Sequence, residues 1–249
     1  MAIKIGVIGA GGMSNYHIPG FKKGGAKVVA VADMNKDAAL ACASKFGIKK
    51  IYASADEMLT SEDIDAVSII TPNKFHKPLA IQALKAGKHV FCEKPLCRNV
   101  AEVKRIVAAA KKAKGFLNIG LCVRAWPEYR AAYEYFKSGK AGKMLSATFK
   151  RISPGVDGNS WKNWYMDGKI SGGALLDLHV HDTDEVNYFF GMPKSVRAVG
   201  ANTVSKNGGI DHVVTVYDYG DGRLVMAEGG WEQSKGATFE MSFTIVCEK

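Results

Sequence analysis

The stretch IKIGVIGAGGMSNYHIPGF, residues Ile3–Phe21, decides the fold of the first half of the chain. A largely apolar run predicts a buried strand over Ile3–Gly9, and a glycine-rich turn then opens a helical pattern that reaches Phe21. In that context the first glycine permits the tight turn, and the second lets a pyrophosphate approach the backbone at the helix N-terminus. The predicted nucleotide contacts in the turn are Gly9, Gly11, Gly12, Met13 and Ser14. The alternative is a glycine-rich turn that binds no ligand.

The next predicted strand, Lys27–Asp33, ends on an acidic residue 24 positions after Gly9 (33 minus 9). A dinucleotide fold places a ribose-binding acid near this position. The Asp33 carboxylate would repel a 2′-phosphate, so the sequence favours NAD over NADP, although Lys36 lies nearby.

On the C-terminal side of the turn, apolar runs alternate with helical patterns as far as Cys122. Such alternation predicts a parallel sheet covered on both faces, which is a Rossmann domain over residues 1–122. Beyond it, two helical patterns accompany five long β-patterns joined by turns, and these favour antiparallel pairing. We therefore expect an α/β domain followed by an α+β domain over residues 123–249, with a mainly antiparallel open sheet.

The composition is that of an ordinary globular protein, with 47% hydrophobic and 23% charged residues among 249. No apolar run approaches the roughly 18 residues that a membrane-spanning helix needs. The net charge is +10, but the lysines are scattered, which disfavours a nucleic-acid partner. The five cysteines are an odd number without a C-x-x-C spacing, so we expect a cytoplasmic protein in which Cys92 and Cys122 are buried.

Two further stretches carry ionisable residues suited to chemistry. TPNKFHKPLAIQALKAGKHVFCEKP (Thr71–Pro95) places Lys94 just beyond a predicted parallel strand, and ligands bind outside the carboxyl ends of such strands. SGGALLDLHVHDTDEVNYFFG (Ser171–Gly191) places Asp177 and His181 four residues apart, so both project from one face of a helix. Taken alone, these residues could equally be a loop lysine and a core histidine paired with Asp177.

Together with the glycine-rich turn, both stretches resemble the Gfo/Idh/MocA family, which includes glucose–fructose oxidoreductase and inositol dehydrogenase. The E-K-P and G-G-x-L-x-D-x-x-x-H motifs are specific to this family when they occur together, and the similarity covers nearly the whole chain. The resemblance implies catalytic roles for Lys94, Asp177 and His181. The cofactor contacts that it implies are Thr71, Pro72 and Asn73, with His76 just beyond them, and Glu93 and Lys94 near the nicotinamide ribose.

These residue types suit the oxidation of a secondary alcohol. Histidine titrates near neutral pH, so His181 is the expected general base for the hydroxyl proton, with Asp177 as its orienting partner. The Lys94 ammonium would stabilise the developing alkoxide. The same helix carries His179, Asp182 and Asp184, but His179 and His181 point to different sides of a helix, so we expect no metal site.

The chain departs from the family pattern in several places. His179 stands where members often have glycine, and Trp164-Tyr165 stands where many have Trp-Arg, which removes a cation. Candidate substrate contacts are Arg124, Trp161, Trp164 and Tyr165, with packing of the second domain as the alternative. Relatives continue for several more strands and a helix, so we expect the second domain to be shortened at its C-terminus.

The leading prediction is an NAD-dependent dehydrogenase of a sugar, cyclitol or sugar derivative. One alternative is a glycosidase of the same family that retains NAD and turns over without net NADH production. Another is a regulator that binds the nucleotide as a signal without catalysis. The resemblance also implies a homo-oligomer formed through the C-terminal sheet.

Overall fold

The computed structural model describes residues 1–156 and 160–249. The chain divides into two units, Met1–Gly120 and Leu121–Lys249, and the boundary expected from the sequence falls two residues later. Within the described ranges, none of the helices combines the length and apolar character needed to cross a bilayer.

Six short strands form the sheet of the first unit. They are β1 (Lys4–Ile8), β2 (Lys27–Ala32), β3 (Lys50–Tyr52), β4 (Ala66–Ile69), β5 (His89–Cys92) and β6 (Leu117–Ile119). The helices between them are α1 (Ser14–Lys23), α2 (Lys36–Phe46), α3 (Ala55–Ser61), α4 (His76–Lys85) and α5 (Val100–Lys112). Every pair is parallel, in the order β3-β2-β1-β4-β5-β6. The predicted Rossmann sheet is confirmed, and the strand order reverses between β1 and β4, where such folds bind ligands.

The sequence did not predict β3 or α3. β3 has only three residues at the edge of the sheet, two of them exposed, so it lacks the apolar run of its neighbours. α3 is a helix of seven residues, too short to show an apolar period. Its N-terminus does carry a signal, because the Ser54 hydroxyl accepts a hydrogen bond from Glu57 N at 3.2 Å.

The second unit is built on five longer strands. They are β7 (Met144–Pro154), β8 (Ser195–Ala201), β9 (His212–Asp218), β10 (Leu224–Gln233) and β11 (Glu240–Cys247). The helices are α6 (Pro127–Lys137), α7 (Gly168–Ser171) and α8 (Val180–Phe190), and a π-helical turn over Leu175–His179 leads directly into α8. The order is β11-β7-β10-β9-β8, antiparallel except for the parallel pair β7 and β10, which confirms the mainly antiparallel prediction.

One face of this second sheet carries the core, and the other carries exposed apolar side chains. Phe149, Tyr217 and Ala227 pack with Tyr129 of α6 and Val186 of α8. On the other face, cross-strand pairing puts Val199 beside Val214, and Val216 beside Met226. The edge strand β8 is exposed along its length.

The expected burial of two cysteines is right for one and wrong for the other. Cys92, in β5, is fully buried, whereas Cys122 is exposed. The alternating pattern predicted from the sequence extends to Cys122, but β6 ends at Ile119. Cys122 instead begins a 3₁₀ turn, so strand alternation does not govern its burial.

Candidate active site

The glycine-rich turn lies at the carboxyl end of β1, beside the point where the strand order reverses. Gly9 has φ +106°, and a Cβ there would lie 3.0 Å from the Ile70 backbone, so the turn requires glycine. Ser14 N donates to the Gly11 carbonyl at 3.0 Å, which starts α1 directly from the turn. A Cβ at Gly11 or Gly12 would meet no protein atom within 4 Å. The turn thus offers open space at a helix N-terminus, whose dipole favours an anionic group.

The turn is supported from the protein interior by Met13 and Ser14. Met13 packs against the apolar cluster that contains Ile18 and Val31. Ser14 is buried, and its side chain hydrogen-bonds Cys42 of α2. A small residue at the third position of the motif therefore lets α1 lie close to the sheet.

Asp33 follows β2 and is directed back at the same turn. Its Oδ2 accepts a hydrogen bond from Ala10 N at 2.7 Å, and its Oδ1 accepts one from Asn35 N at 2.8 Å. The carboxylate is thereby fixed beside the glycine-rich turn. Each oxygen keeps a further lone pair with which it could accept a hydroxyl.

The loop after β4 is tied to the segment after β5 through His76. Asn73 is buried at the start of a 3₁₀ turn, and His76 is fully buried at the start of α4. His76 Nε2 lies 2.8 Å from the Thr71 carbonyl oxygen, and Nδ1 lies 2.8 Å from that of Pro95. Burial lowers the pKa of His76, and the two carbonyl oxygens oppose that shift. Its role as a cofactor contact stays a prediction.

Lys94 is half-buried and stands two residues beyond the end of β5, before a cis bond to Pro95. The side chain of Glu93 is held on both oxygens: Oε1 lies 2.8 Å from His17 Nε2, and Oε2 accepts from Lys94 N at 3.1 Å. His17 also lies 3.0 Å from Ser68 Oγ. No spacing in the sequence reveals His17, because its partners are 51 and 76 residues away.

The strand order brings the predicted nucleotide residues of the first unit to one edge of its sheet. Asp33, Gly9, Thr71 and Glu93 follow β2, β1, β4 and β5, which are successive neighbours. Adjacent strands lie about 4.8 Å apart. These residues fit a nicotinamide dinucleotide, because an open turn at a helix N-terminus suits the pyrophosphate and a fixed carboxylate suits an adenosine ribose.

In the second unit, the π-helical turn and α8 carry Asp177 and His181, both only 8% exposed. The sheet-facing residues of this helix are fixed by their contacts. His179 Nε2 lies 2.9 Å from Thr215 Oγ1, and Asp182 pairs with Arg151 at 3.0 Å. Residues one turn apart share a face, whereas positions 177 and 181 lie about half a turn from position 179. The spacing therefore places Asp177 and His181 on a different side of the helix from His179.

The remaining His/Asp residues of this helix bind separate partners. Burial lowers the pKa of His179 to about 4, so it is neutral at physiological pH. Asp182 binds Arg151, and Asp184 receives two hydrogen bonds from Arg124, from Nε at 2.6 Å and from Nη2 at 2.5 Å. Among the residues that the structure describes, no group of three or more His, Cys, Asp or Glu side chains could hold a metal ion.

Glu185 lies one turn beyond His181 and is fully buried. Neither carboxyl oxygen has a hydrogen-bond partner in the described part of the chain. Burial, with a smaller contribution from Asp184, raises the pKa of Glu185 to about 7. A carboxyl with a pKa raised to about 7 thus stands on the same helix as the expected general base.

The candidate substrate residues occupy different environments. Arg124 is exposed, but its guanidinium is paired with Asp184 and lies 4.5 Å from the ring centroid of Tyr188. Trp164 is buried and stacks on Tyr165, with centroids 3.9 Å apart, whereas Trp161 is exposed. This stacking supports a packing role for Trp164. Substrate contact by these four residues stays a prediction.

Comparisons with known proteins cover both units. A family model described as "Oxidoreductase family, NAD-binding Rossmann fold" matches residues 3–121, and one described as "GFO/IDH/MocA C-terminal domain" matches residues 129–249. Over 231 residues the chain is 32% identical to the myo-inositol 2-dehydrogenase of Thermotoga maritima, covering 89% of this chain and 66% of that protein. Over 192 residues it is 32% identical to the levoglucosan dehydrogenase of Pseudarthrobacter phenanthrenivorans, covering 75% of this chain and 49% of that protein.

A solved structure matches at the level of the whole chain. The scyllo-inositol dehydrogenase from Lactobacillus casei, with bound NAD(H) and scyllo-inositol, superposes with a TM-score of 0.86 at 26% identity. The match covers 100% of this chain and 75% of that one. The chain spans between about half and two thirds of the length of the two curated relatives named above.

Proposed function

Because the chain belongs to the GFO/IDH/MocA family of oxidoreductases, we propose that it is an NAD-dependent dehydrogenase. Its substrate in this proposal is a secondary alcohol of a sugar, a cyclitol or a sugar derivative. The observation that carries the proposal is that Asp177 and His181, four residues apart on the π-helical turn and α8, are both nearly buried, in a chain that also keeps Lys94 after β5. The similarity to dehydrogenases of inositol and levoglucosan supports this substrate class.

The proposed cofactor is NAD rather than NADP. Asp33 is held against the turn by Ala10 N and Asn35 N, so its negative charge is fixed where an adenosine ribose would lie. A 2′-phosphate there would face a carboxylate, whereas a 2′-hydroxyl could donate to it. The adjacent residues Met34 and Asn35 supply no arginine.

In the proposed reaction, the bound cofactor supplies the hydride acceptor. His181 takes the proton of the substrate hydroxyl, and Asp177, one turn earlier, orients the imidazole and favours its charged form. The Lys94 ammonium stabilises the alkoxide that develops as the carbon–hydrogen bond breaks.

A substrate panel tests this function. Sugars, inositols and sugar nucleotides are incubated with NAD or NADP, and nicotinamide absorbance is followed. The proposal predicts NADH production with at least one polyol. Turnover of a glycoside without net NADH production would favour the NAD-retaining glycosidase, and tight NADH binding without turnover would favour the nucleotide-sensing regulator.

We also propose that the open face of the second sheet mediates self-association. Val199 is 80% exposed on β8, beside Val214 and Arg197. The same face carries the ion pairs of His212 with Glu228 and of Lys150 with Glu240. An apolar patch with charged neighbours suits an interface between two copies. We propose a cytoplasmic location, because the five cysteines are an odd number and have no C-x-x-C spacing.

A further inference from the structure

A hydrogen-bond chain inside the first unit links α1 to the segment that carries Lys94. His17 Nδ1 lies 3.0 Å from Ser68 Oγ on β4, and His17 Nε2 lies 2.8 Å from Glu93 Oε1. The His17 ring also meets Phe21 and Phe91 edge-on, with centroids 5.9 and 5.4 Å away. Ser68 is fully buried, and the side chains of His17 and Glu93 are nearly so.

The chemistry of Ser68, His17 and Glu93 constrains which of them donates each hydrogen. An ionised carboxylate only accepts, so His17 Nε2 carries the hydrogen and donates it to Glu93. Nδ1 accepts from the Ser68 hydroxyl when the ring is neutral and donates to Ser68 Oγ when the ring is protonated. The other oxygen of Glu93 accepts from Lys94 N at 3.1 Å. Both ring nitrogens of His17 and both carboxylate oxygens of Glu93 therefore have hydrogen-bond partners inside the first unit.

We propose that His17 is a positioning residue for the dehydrogenase reaction, acting through Glu93 on the backbone of Lys94. The inference rests on the proposed function. His17 lies in α1, the helix that begins at the glycine-rich turn. Its hydrogen bond to Glu93 therefore connects that helix to the residues around Lys94. On the other side of Lys94, His76 Nδ1 lies 2.8 Å from the Pro95 carbonyl oxygen. The lysine thus stands between two residues that are each held by a buried histidine.

The competing interpretation is that His17 only fills space among aromatic rings. His17→Phe separates the two, because it keeps a ring beside Phe21 and Phe91 but removes both hydrogen bonds. His17→Gln is the rescue variant, since its amide can present an N–H near the position of Nε2. His89→Phe is the matched control. His89 begins β5, the strand that also carries Phe91, and it is exposed and stacks on Phe116.

The kinetic readouts are kcat, KM and NADH affinity. A displacement of about 1 Å at a reacting group can cost about 10²-fold. We expect His17→Phe to lower kcat roughly 10- to 100-fold while NADH affinity changes less than about threefold. His17→Gln should recover most of kcat, and His89→Phe should match wild type. Wild-type kcat in His17→Phe, or a loss confined to NADH affinity, would overturn the proposal, as would a folded His17→Gln as impaired as His17→Phe.

Amide hydrogen exchange tests the positioning role without any substrate. Lys94 N–H should exchange at least about tenfold faster in His17→Phe, because its acceptor is no longer fixed. The Gly9 amide, bonded to the Ala32 carbonyl at 2.8 Å, should be unchanged. Unchanged exchange at Lys94 would refute the positioning role even in an active enzyme. If wild type oxidises no alcohol, the proposed function fails, and this measurement still decides whether His17 fixes the lysine segment.

Discussion

Replacing Glu185 with glutamine should stabilise the protein, and the gain should depend on pH. Glu185 is fully buried, and in the described chain neither of its carboxyl oxygens has a hydrogen-bond partner. Burial raises its pKa from an ordinary value of 4.5 to about 7. The folded protein therefore holds a proton on Glu185 that the unfolded chain releases between pH 4.5 and 7.

The sign and size of this change in stability follow from the different pKa values of Glu185 in the folded and unfolded states. Below pH 4.5 both states are protonated, and ionisation costs nothing. As the pH rises to 7 the unfolded state loses its proton first, so the stability of the folded state falls. Each pH unit between the two pKa values corresponds to about 1.4 kcal/mol, which gives a penalty of about 3 kcal/mol at pH 8 and about 1 kcal/mol at pH 5. Glu185→Gln keeps the shape and removes the ionisation.

Urea unfolding, followed by tryptophan fluorescence, measures the free energy of unfolding of the second unit alone. All four tryptophans, Trp126, Trp161, Trp164 and Trp231, lie in that unit. The variant should gain about 3 kcal/mol at pH 8 and no more than about 1 kcal/mol at pH 5. The control is Glu134→Gln on α6, whose side chain is exposed, and it should change stability by less than about 0.5 kcal/mol at either pH. An equal gain at both pH values, or no gain at pH 8, would refute the assignment of a buried Glu185 with a raised pKa.

Three further predictions concern the cofactor and the open sheet face. Gly11→Val meets no protein atom within 4 Å at its Cβ, so the fold should survive while NADH affinity, measured by fluorescence titration, falls at least about tenfold. Unchanged affinity would mean that the site is misplaced. Asp33→Ala should narrow the kcat/KM preference for NAD, and a wild type that clearly prefers NADP would contradict the proposal. Val199→Asp should shift sedimentation toward the monomer, whereas a wild type that is monomeric at micromolar concentration would count against association through this sheet.

The first unit could be predicted largely from the sequence because its signals are local. The apolar run Ile3–Gly9, the glycine-rich turn and the acid at position 33 lie within 31 consecutive residues (3 to 33), and each acts through its own backbone or its immediate neighbours. β3 was missed because an edge strand of three residues buries too little apolar surface to leave a pattern.

Contacts between distant residues could not be predicted in the same way. The parallel pairing of β7 with β10 joins strands about 70 residues apart, and turn residues specify only pairs that are adjacent in sequence. The same holds for Ser68, His17 and Glu93, which meet only because β4 and β5 are neighbours beneath α1. The π-helical turn over Leu175–His179 was also not predicted, because the spacing of Asp177 and His181 suits a regular helix equally well.

The kinetics of Lys94→Ala and His181→Ala, with His179→Ala as the comparison, test the central proposal most directly. Removing a general base or a charge stabiliser typically costs about 10²–10⁴ in rate, so both variants should lose kcat to that extent while NADH binding largely survives. His179→Ala should lose far less, because His179 hydrogen-bonds Thr215 beneath the helix. A Lys94→Ala enzyme with wild-type kcat, or a His179 variant as impaired as the His181 variant, would contradict the proposed dehydrogenase mechanism.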